Sequence, residues 1–211
     1  MKAPLATLSA ASATPLAVAN ATAAVQACAS PSIRDASAAD IPAIQAIYAH
    51  HVRHGRASFE EVEPGVDDMR LRHAEVKRQG LPYLVAERGG EVLGYAYASA
   101  YRTRSAYRFA IEDSVYIDER YRGQGLGLAL LAALVSRCES GPWRQMVAVV
   151  ACTASGEGAG SLALHERVGF RTIGRLQSVG FKHGQWIDTV LMQRSLGDGD
   201  ETLPVERAAR R

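Results

Sequence analysis

Arg120-Tyr121-Arg122-Gly123-Gln124-Gly125-Leu126-Gly127-Leu128-Ala129-Leu130-Leu131 follows directly on the run Ser114-Val115-Tyr116-Ile117 and Asp118-Glu119. An extended segment therefore runs into a glycine-rich turn that opens a helix. Glycine reaches positive φ without steric cost and leaves no Cβ in a ligand's path. The first N–H groups of a helix lack internal partners and lie at its positive end, so such a turn suits an anion. Arg122 adds a full charge beside it. Two commoner phosphate loops are excluded. No Lys-Ser or Lys-Thr is present, as a P-loop requires. Gly-x-Gly-x-x-Gly fails because Leu128 and Leu130 stand where its last glycine would fall. A pyrophosphate is the expected guest of Arg122-Gly123-Gln124-Gly125-Leu126-Gly127. Packing of a strand-to-helix turn is the alternative.

A chain of 211 residues accommodates one domain with tails, and its 47% apolar and 22% charged composition places it among ordinary globular proteins. A net charge of +2 is too small to point to nucleic acid or an anionic membrane. Arg102, Arg104, Arg108, Arg120 and Arg122 recur near the glycine turn, which fits local anion binding. Cys28, Cys138 and Cys152 lack the spacing of a disulfide framework or a thiolate zinc site and suit a reducing cytoplasm. His50, His51 and His54 lie at helical spacing, but no Glu completes His-Glu-x-x-His. They read as solvated histidines, and no metal is expected. Trp143 and Trp186 read as packing residues.

Residues 1–31 are rich in Ala, Ser and Thr, with Lys2 the one charge. Thr, Ser, Pro15 and Asn20 interrupt every apolar stretch, so a disordered extension is favoured over a secretory signal. Residues 197–211 read as a disordered tail and 32–196 as the folded domain. Within it, Ile33 to Ala36 is a short strand, and Ser37-x-x-Asp40 caps a helix that places Ile41, Ile44, Ile47 and Tyr48 on one face. A helix over 66–79 ends at Gly80. Tyr83 to Glu87 and Val92 to Ala100 form a hairpin. Strands near 110–118 and 146–151, helices near 125–138 and 161–168, and strands near 170–176 and 186–193 complete the order β-α-α-β-β-β-α-β-α-β-β. The class is α/β (α+β), a mixed sheet flanked by helices.

The glycine turn and this element order resemble the GNAT acetyltransferases. Four further stretches narrow the match: Ala57-Ser58-Phe59-Glu60, residues 107–117, Leu164-His165-Glu166-Arg167-Val168-Gly169-Phe170, and Val179-Gly180-Phe181-Lys182-His183-Gly184-Gln185-Trp186. Together they resemble the phosphinothricin and methionine sulfoximine N-acetyltransferases over nearly all of 33–194. The resemblance implies a GNAT fold with a splayed central strand, and acetyl-CoA as cosubstrate. It also implies an amino-acid-like amine acceptor and a homodimer. Val115, Tyr116 and Ile117 would pair with the pantetheine arm and polarise the acetyl carbonyl. Arg122, Gly123, Gln124, Gly125, Leu126 and Gly127 would hold the pyrophosphate, with Ser161 contacting the coenzyme. Phe59, Arg102, Tyr107 and Arg108 would line the amino-acid pocket. Glu112 falls on the family's catalytic glutamate.

The chemistry asks for such a group independently. An amine attacks a thioester only when neutral, and a carboxylate can remove its proton. From position alone Glu112 reads equally as that base or as a surface glutamate, and the resemblance favours the base. Asp113 is set aside because strand alternation turns it to the opposite face. His165 stands where many GNAT enzymes carry a tyrosine that protonates the leaving thiolate. It is read as an acid, as an orienter of the coenzyme, or as a satisfied half-buried histidine. One departure concerns the coenzyme directly. The family usually has Asn-Ala-Ala-Ser before this helix, whereas the chain has Gly158-Ala159-Gly160-Ser161.

Overall fold

Arg34, Ser37 and Asp40 organise the start of the domain, and the spacing of these three residues explains the first turn. The structure, a computed structural model, describes residues 30–204. Cys28, residues 1–29 of the proposed extension, and residues 205–211 lie outside the described residues. Strand β1 (Ser32–Asp35) leads through a 3-10 turn into helix α1 (Ile41–His54). The Asp40 carboxylate accepts from the Ser37 backbone N–H at 2.7 Å and from the Ser37 hydroxyl at 2.8 Å. Both terminal nitrogens of Arg34 donate to the same carboxylate at 2.8 Å. A buried acid held by one guanidinium and two further donors keeps its proton affinity low, and Arg34 is the main reason that Asp40 lies well below the usual carboxylate range.

The apolar face of α1 is the one the periodicity selects, with Ile41, Ile44, Ile47 and Tyr48 all buried. Helix α2 (Val66–Arg78) ends where Gly80 turns to φ +73°. Strands β2 (Tyr83–Arg88), β3 (Glu91–Ala100) and β4 (Ala110–Ile117) follow. Helix α3 (Leu126–Glu139), strand β5 (Gln145–Cys152), helix α4 (Ala159–Arg167), and strands β6 (Arg171–Lys182) and β7 (Gln185–Ser195) complete the domain. The sheet has seven strands in the order β1-β2-β3-β4-β5-β7-β6, antiparallel throughout except for the parallel pair β4–β5. Tyr48 of α1 meets Tyr116, and His73 of α2 meets Tyr83, on one face of the sheet. Helices α3 and α4 cover the other face.

The last hairpin is longer than its sequence pattern indicated. β6 continues past Leu176 to Lys182, through an irregularity between Leu176 and Gly180 where Ser178 adopts φ 50°. Period-2 alternation is lost across such a bulge, so the strand was legible only to its start. The stretch from Phe181 to Trp186 is the end of this hairpin. His183 and Gly184, both at positive φ, turn the chain between Lys182 and Gln185. Trp186 is exposed and stacks edge-on against Phe181 at 5.1 Å, which corrects its reading as a packing residue. Beyond β7, residues 197–204 turn back onto Arg144, which binds the Leu203 carbonyl at 3.3 Å and lies 3.6 Å from Asp198.

Asp40→Ala is expected to lower the unfolding free energy by about 1–2 kcal/mol in urea at neutral pH. Because the folded acid holds its proton less tightly than the unfolded one, this contribution is complete above the ordinary carboxylate range. It fades as the pH falls through that range toward the lowered folded value. The gap between wild type and variant should therefore narrow in acid, and an equal gap at all pH would refute the ionic origin.

Candidate functional site

The parallel pair at the centre of the sheet is short. β4 and β5 pair only at Ala110, Ile111 and Glu112, whereas β4 remains paired to β3 as far as Ile117. From Asp113 onward the two central strands part, and the β4 edge facing β5 is left outside the ladder. A wedge-shaped cleft thus runs along Val115, Tyr116 and Ile117 toward the glycine turn. Apart from the Ile117 carbonyl, its backbone groups on that side are left outside the ladder, where a partner could complete the sheet.

At the end of the cleft, Gly123 and Gly125 adopt φ +75° and +81°, and a Cβ on either would touch nothing within 4 Å. Conformation rather than crowding calls for glycine there. Gly125 is the residue from which α3 springs. Leu126 is buried as the anchor of the turn, while Arg122, Gly123, Gln124 and Gly125 lie exposed at the helix start. Gly127 differs: it lies where α3 meets α4, and a Cβ on it would sit in ordinary contact with Leu164 at 3.4 Å. Arg122 pairs with Glu119 at 2.9 Å on the surface. His51 reaches the other side of the cleft's end, its Nε2 2.8 Å from the Ile117 carbonyl. A carbonyl only accepts, so that nitrogen carries the proton. Burial pushes the His51 pKa down, against the bond to Ile117. This part-buried contact replaces the solvated histidine expected at position 51.

Glu112 is the last β4 residue paired to β5. It shares a face of the sheet with Ser114 and Tyr116, and with Tyr95 and Tyr97 across the ladder to β3. Burial, then the charge of Asp113, raises its pKa to about 6, with Arg102 pulling the other way. Arg102, Tyr107 and Arg108 stand on the loop between β3 and β4. Arg102 lies over the Tyr101 ring at 5.0 Å and makes no ion pair with a carboxylate among the described residues. Tyr107 meets Tyr101 edge-on at 5.8 Å, and Arg108 lies over Phe109 at 4.6 Å. Phe59, the fourth residue expected to line the pocket, approaches from the loop between α1 and α2. Its ring lies so close to Gly180 that a Cβ there would come within 2.4 Å. The buried Lys182 donates to the Ser58 carbonyl at 2.8 Å, tying that loop to the β6–β7 hairpin.

His165 lies on the other face of β4. It is buried, its Nδ1 2.7 Å from the Ser161 carbonyl and its Nε2 3.0 Å from Asp113. The Ser161 hydroxyl is 3.4 Å from the same Nδ1, in the first turn of α4. Of the three readings open to His165, the geometry is that of a satisfied histidine. Asp113, set aside for facing away from Glu112, does face away and is the partner of His165. Only strand alternation hinted at this, and no spacing rule links residues 113 and 165.

A splayed parallel pair, a glycine-turned helix start at its end and a half-buried carboxyl at the branch point form one connected site. The model for the acetyltransferase (GNAT) family matches residues 45–170. The chain belongs to that family. It is 61% identical over 165 residues to the phosphinothricin N-acetyltransferase of Alcaligenes faecalis, covering 78% of this chain and 82% of the relative. It is 40% identical over 168 residues to the L-methionine sulfoximine/L-methionine sulfone acetyltransferase of Pseudomonas paraeruginosa, covering 79% and 95%. Among solved structures, the phosphinothricin acetyltransferase of Sinorhizobium meliloti in complex with AcCoA superposes with a TM-score of 0.80 at 45% identity. That match covers 86% of this chain and 97% of that one.

The geometry also accounts for the departure of this acetyltransferase at the start of α4. Gly158 adopts φ +93°, and a Cβ there would stand 2.3 Å from the Ala151 carbonyl and 2.8 Å from the Cys152 sulfur. The loop lies against β5 too closely for any side chain. Arg56 holds the same loop from outside through Glu157 at 2.6 Å. Gly158→Asn, the residue usual in the resembled family, is therefore expected to cost about 1–3 kcal/mol of stability. A urea midpoint equal to that of wild type would show that the loop relaxes to accept it.

Proposed function

We propose that this acetyltransferase moves an acetyl group from acetyl-CoA to the α-amine of a small amino-acid analogue of the phosphinothricin or methionine sulfoximine/sulfone type. Transfer is direct, within a ternary complex. The observation that carries this reading is Glu112. It is a half-buried carboxyl whose pKa is raised to about 6, at the point where β4 leaves β5 and within the field of Arg102.

The residues present fit the coenzyme. The open β4 edge offers backbone groups to the pantetheine amides, and the glycine turn at the α3 start offers unpaired N–H groups to a pyrophosphate. When bound, acetyl-CoA supplies an acyl group already activated as a thioester. Glu112 accepts the proton of the substrate ammonium, directly or through a water, and the amine nitrogen then forms its bond to the acetyl carbon as the C–S bond breaks, the coenzyme leaving as a thiolate that takes up the second proton the nitrogen sheds. A carboxylate with a raised pKa takes that proton more readily than an ordinary one. Backbone N–H groups near Tyr116 or Ile117 polarise the carbonyl. Arg102 and Arg108 pair with the substrate's carboxylate or its tetrahedral head, while Phe59 and Tyr107 close the pocket.

The homodimer belongs to the same reading. β6 is an edge strand, and Ile173, Leu176, Val179, Phe181 and Trp186 lie exposed on its hairpin. A second copy of the chain is the occupant we assign to this surface. Two buried free thiols, Cys138 and Cys152, support a reducing cytoplasm, and no helix among the described residues is long and apolar enough to cross a membrane.

Release of free thiol from acetyl-CoA is the test, with L-phosphinothricin, L-methionine sulfoximine, L-methionine sulfone, spermidine and a peptide N-terminus compared in parallel. High kcat/KM is expected for the tetrahedral-head amino acids alone, and preference for spermidine or the peptide would overturn the substrate class. Since the base must be ionised, kcat should rise through about pH 6. Glu112→Gln should lower kcat by about 10²–10⁴ and abolish that limb. A variant with full kcat from pH 6 to 9 would remove Glu112 from the mechanism.

A further inference from the structure

His165 has a hydrogen-bond acceptor at each ring nitrogen. The Ser161 carbonyl at 2.7 Å from Nδ1 can only accept. A neutral imidazole would spend its one proton there and turn a bare Nε2 toward the Asp113 carboxylate at 3.0 Å, setting two acceptors face to face. Both contacts are satisfied together when the ring carries two protons. The other oxygen of Asp113, Oδ1, is buried with no partner among the described residues, so the neutralisation of that carboxylate falls on His165.

We propose that His165 is held as an imidazolium whose task is to neutralise Asp113 and fix helix α4 to the branch point of the splayed strand, and that it is a positioning residue rather than the acid that protonates the leaving thiolate. Asp113 is the first β4 residue beyond the pairing with β5 and the immediate neighbour of Glu112. The ion pair spans the place where β5 has turned away, and it ties α4, with the glycine-rich loop before it, to β4. It sits on the face opposite Glu112, and both protons of the ring are committed to Ser161 and Asp113.

The surroundings agree with this assignment. Burial opposes a charged ring, but the hydrogen bond and charge of Asp113 outweigh it, and the net direction for His165 is upward from ordinary histidine. From α3 the facing titratable group is Cys138, whose thiol burial and then Asp113 push up to about 12, so it stays neutral. From the chain after α4 comes the Phe170 ring, edge-on at 5.1 Å. The guanidinium of Arg194 on β7 is occupied by the Val168 carbonyl and by Glu139. Among the described residues no second cation pairs with Asp113. Its charge is one of the causes that raise Glu112, so the pair also sets the field felt by that carboxyl.

Two measurements test the proposal. In the ¹⁵N-histidine-labelled wild-type protein at pH 8, above the ordinary histidine pKa of about 6.5, long-range proton–nitrogen spectra should show both His165 ring nitrogens protonated. One bare nitrogen would overturn the imidazolium. The second measurement is kinetic and rests on the reading of Glu112 as base. His165→Gln leaves Asp113 uncompensated, so kcat at neutral pH should fall, its acid limb should move up by about 0.5–1 pH unit and the melting temperature should fall. Asp113→Asn combined with His165→Gln removes the stranded charge and should recover both the limb and most of kcat. A double variant that melts like wild type yet stays as inactive as His165→Gln would make His165 the acid. If Glu112 is not the base, neither limb moves, while the nitrogen spectrum and the melting rescue still decide the proposal.

Discussion

The separation of β4 from β5 after Glu112 is the constraint on which the site depends. Each backbone amide in a sheet needs a partner, and a parallel pair that parts midway leaves a row of donors and acceptors facing a gap. The fold accommodates this gap with two different devices. On one face a ladder of tyrosines, with Tyr95 and Tyr116 stacked at 5.3 Å and Tyr48 edge-on to Tyr116 at 5.1 Å, supports the strand as it diverges. On the other, His165 and Asp113 fasten the neighbouring helix. At the far end His51 binds the Ile117 carbonyl, so the strand is held where it enters the glycine turn.

Placing Glu112 at the branch point has an electrostatic consequence. The residue is still in the sheet, hence shielded from water on its paired side, yet it borders the cleft. Desolvation lifts its pKa, Asp113 on the next residue lifts it further, and Arg102 on the loop above limits the rise. A carboxyl tuned in this way is ionised near neutral pH and remains a better proton acceptor than a solvated one. The tuning comes from position along the strand, not from any special local sequence.

The side chains proposed to line the substrate site come from segments far apart in the chain. Phe59 comes from the loop after α1, Arg102 and Tyr107 from the loop before β4, and both Gly180 and Lys182 from the last hairpin. Phe59 can lie flat on the hairpin because Gly180 has no Cβ, and Lys182 anchors the Ser58 carbonyl beside it. A single hairpin therefore both supports the Phe59 loop and forms the exposed edge strand, linking that loop to whatever covers the edge.

Local signals carried much of this protein. The capping box at Ser37 and Asp40, the apolar face of α1, the alternation of β2 and β3, and the glycine turn before α3 are encoded within a few residues, so element order and the glycine-turned start of α3 were legible from the sequence alone. Four motifs in order brought out the family and, through it, the positions that the proposed function assigns to Glu112, Phe59, Arg102, Tyr107 and Arg108. Strand alternation even turned Asp113 to its true face. What lay beyond the sequence were the partnerships across tens of residues: His165 with Asp113, His51 with the Ile117 carbonyl, Lys182 with Ser58, and the steric demand for glycine at 158 created by Ala151. Those depend on which elements the packed sheet brings within about 3 Å of one another, the hydrogen-bonding range. No local propensity contains that distance, so only the tertiary structure could decide it.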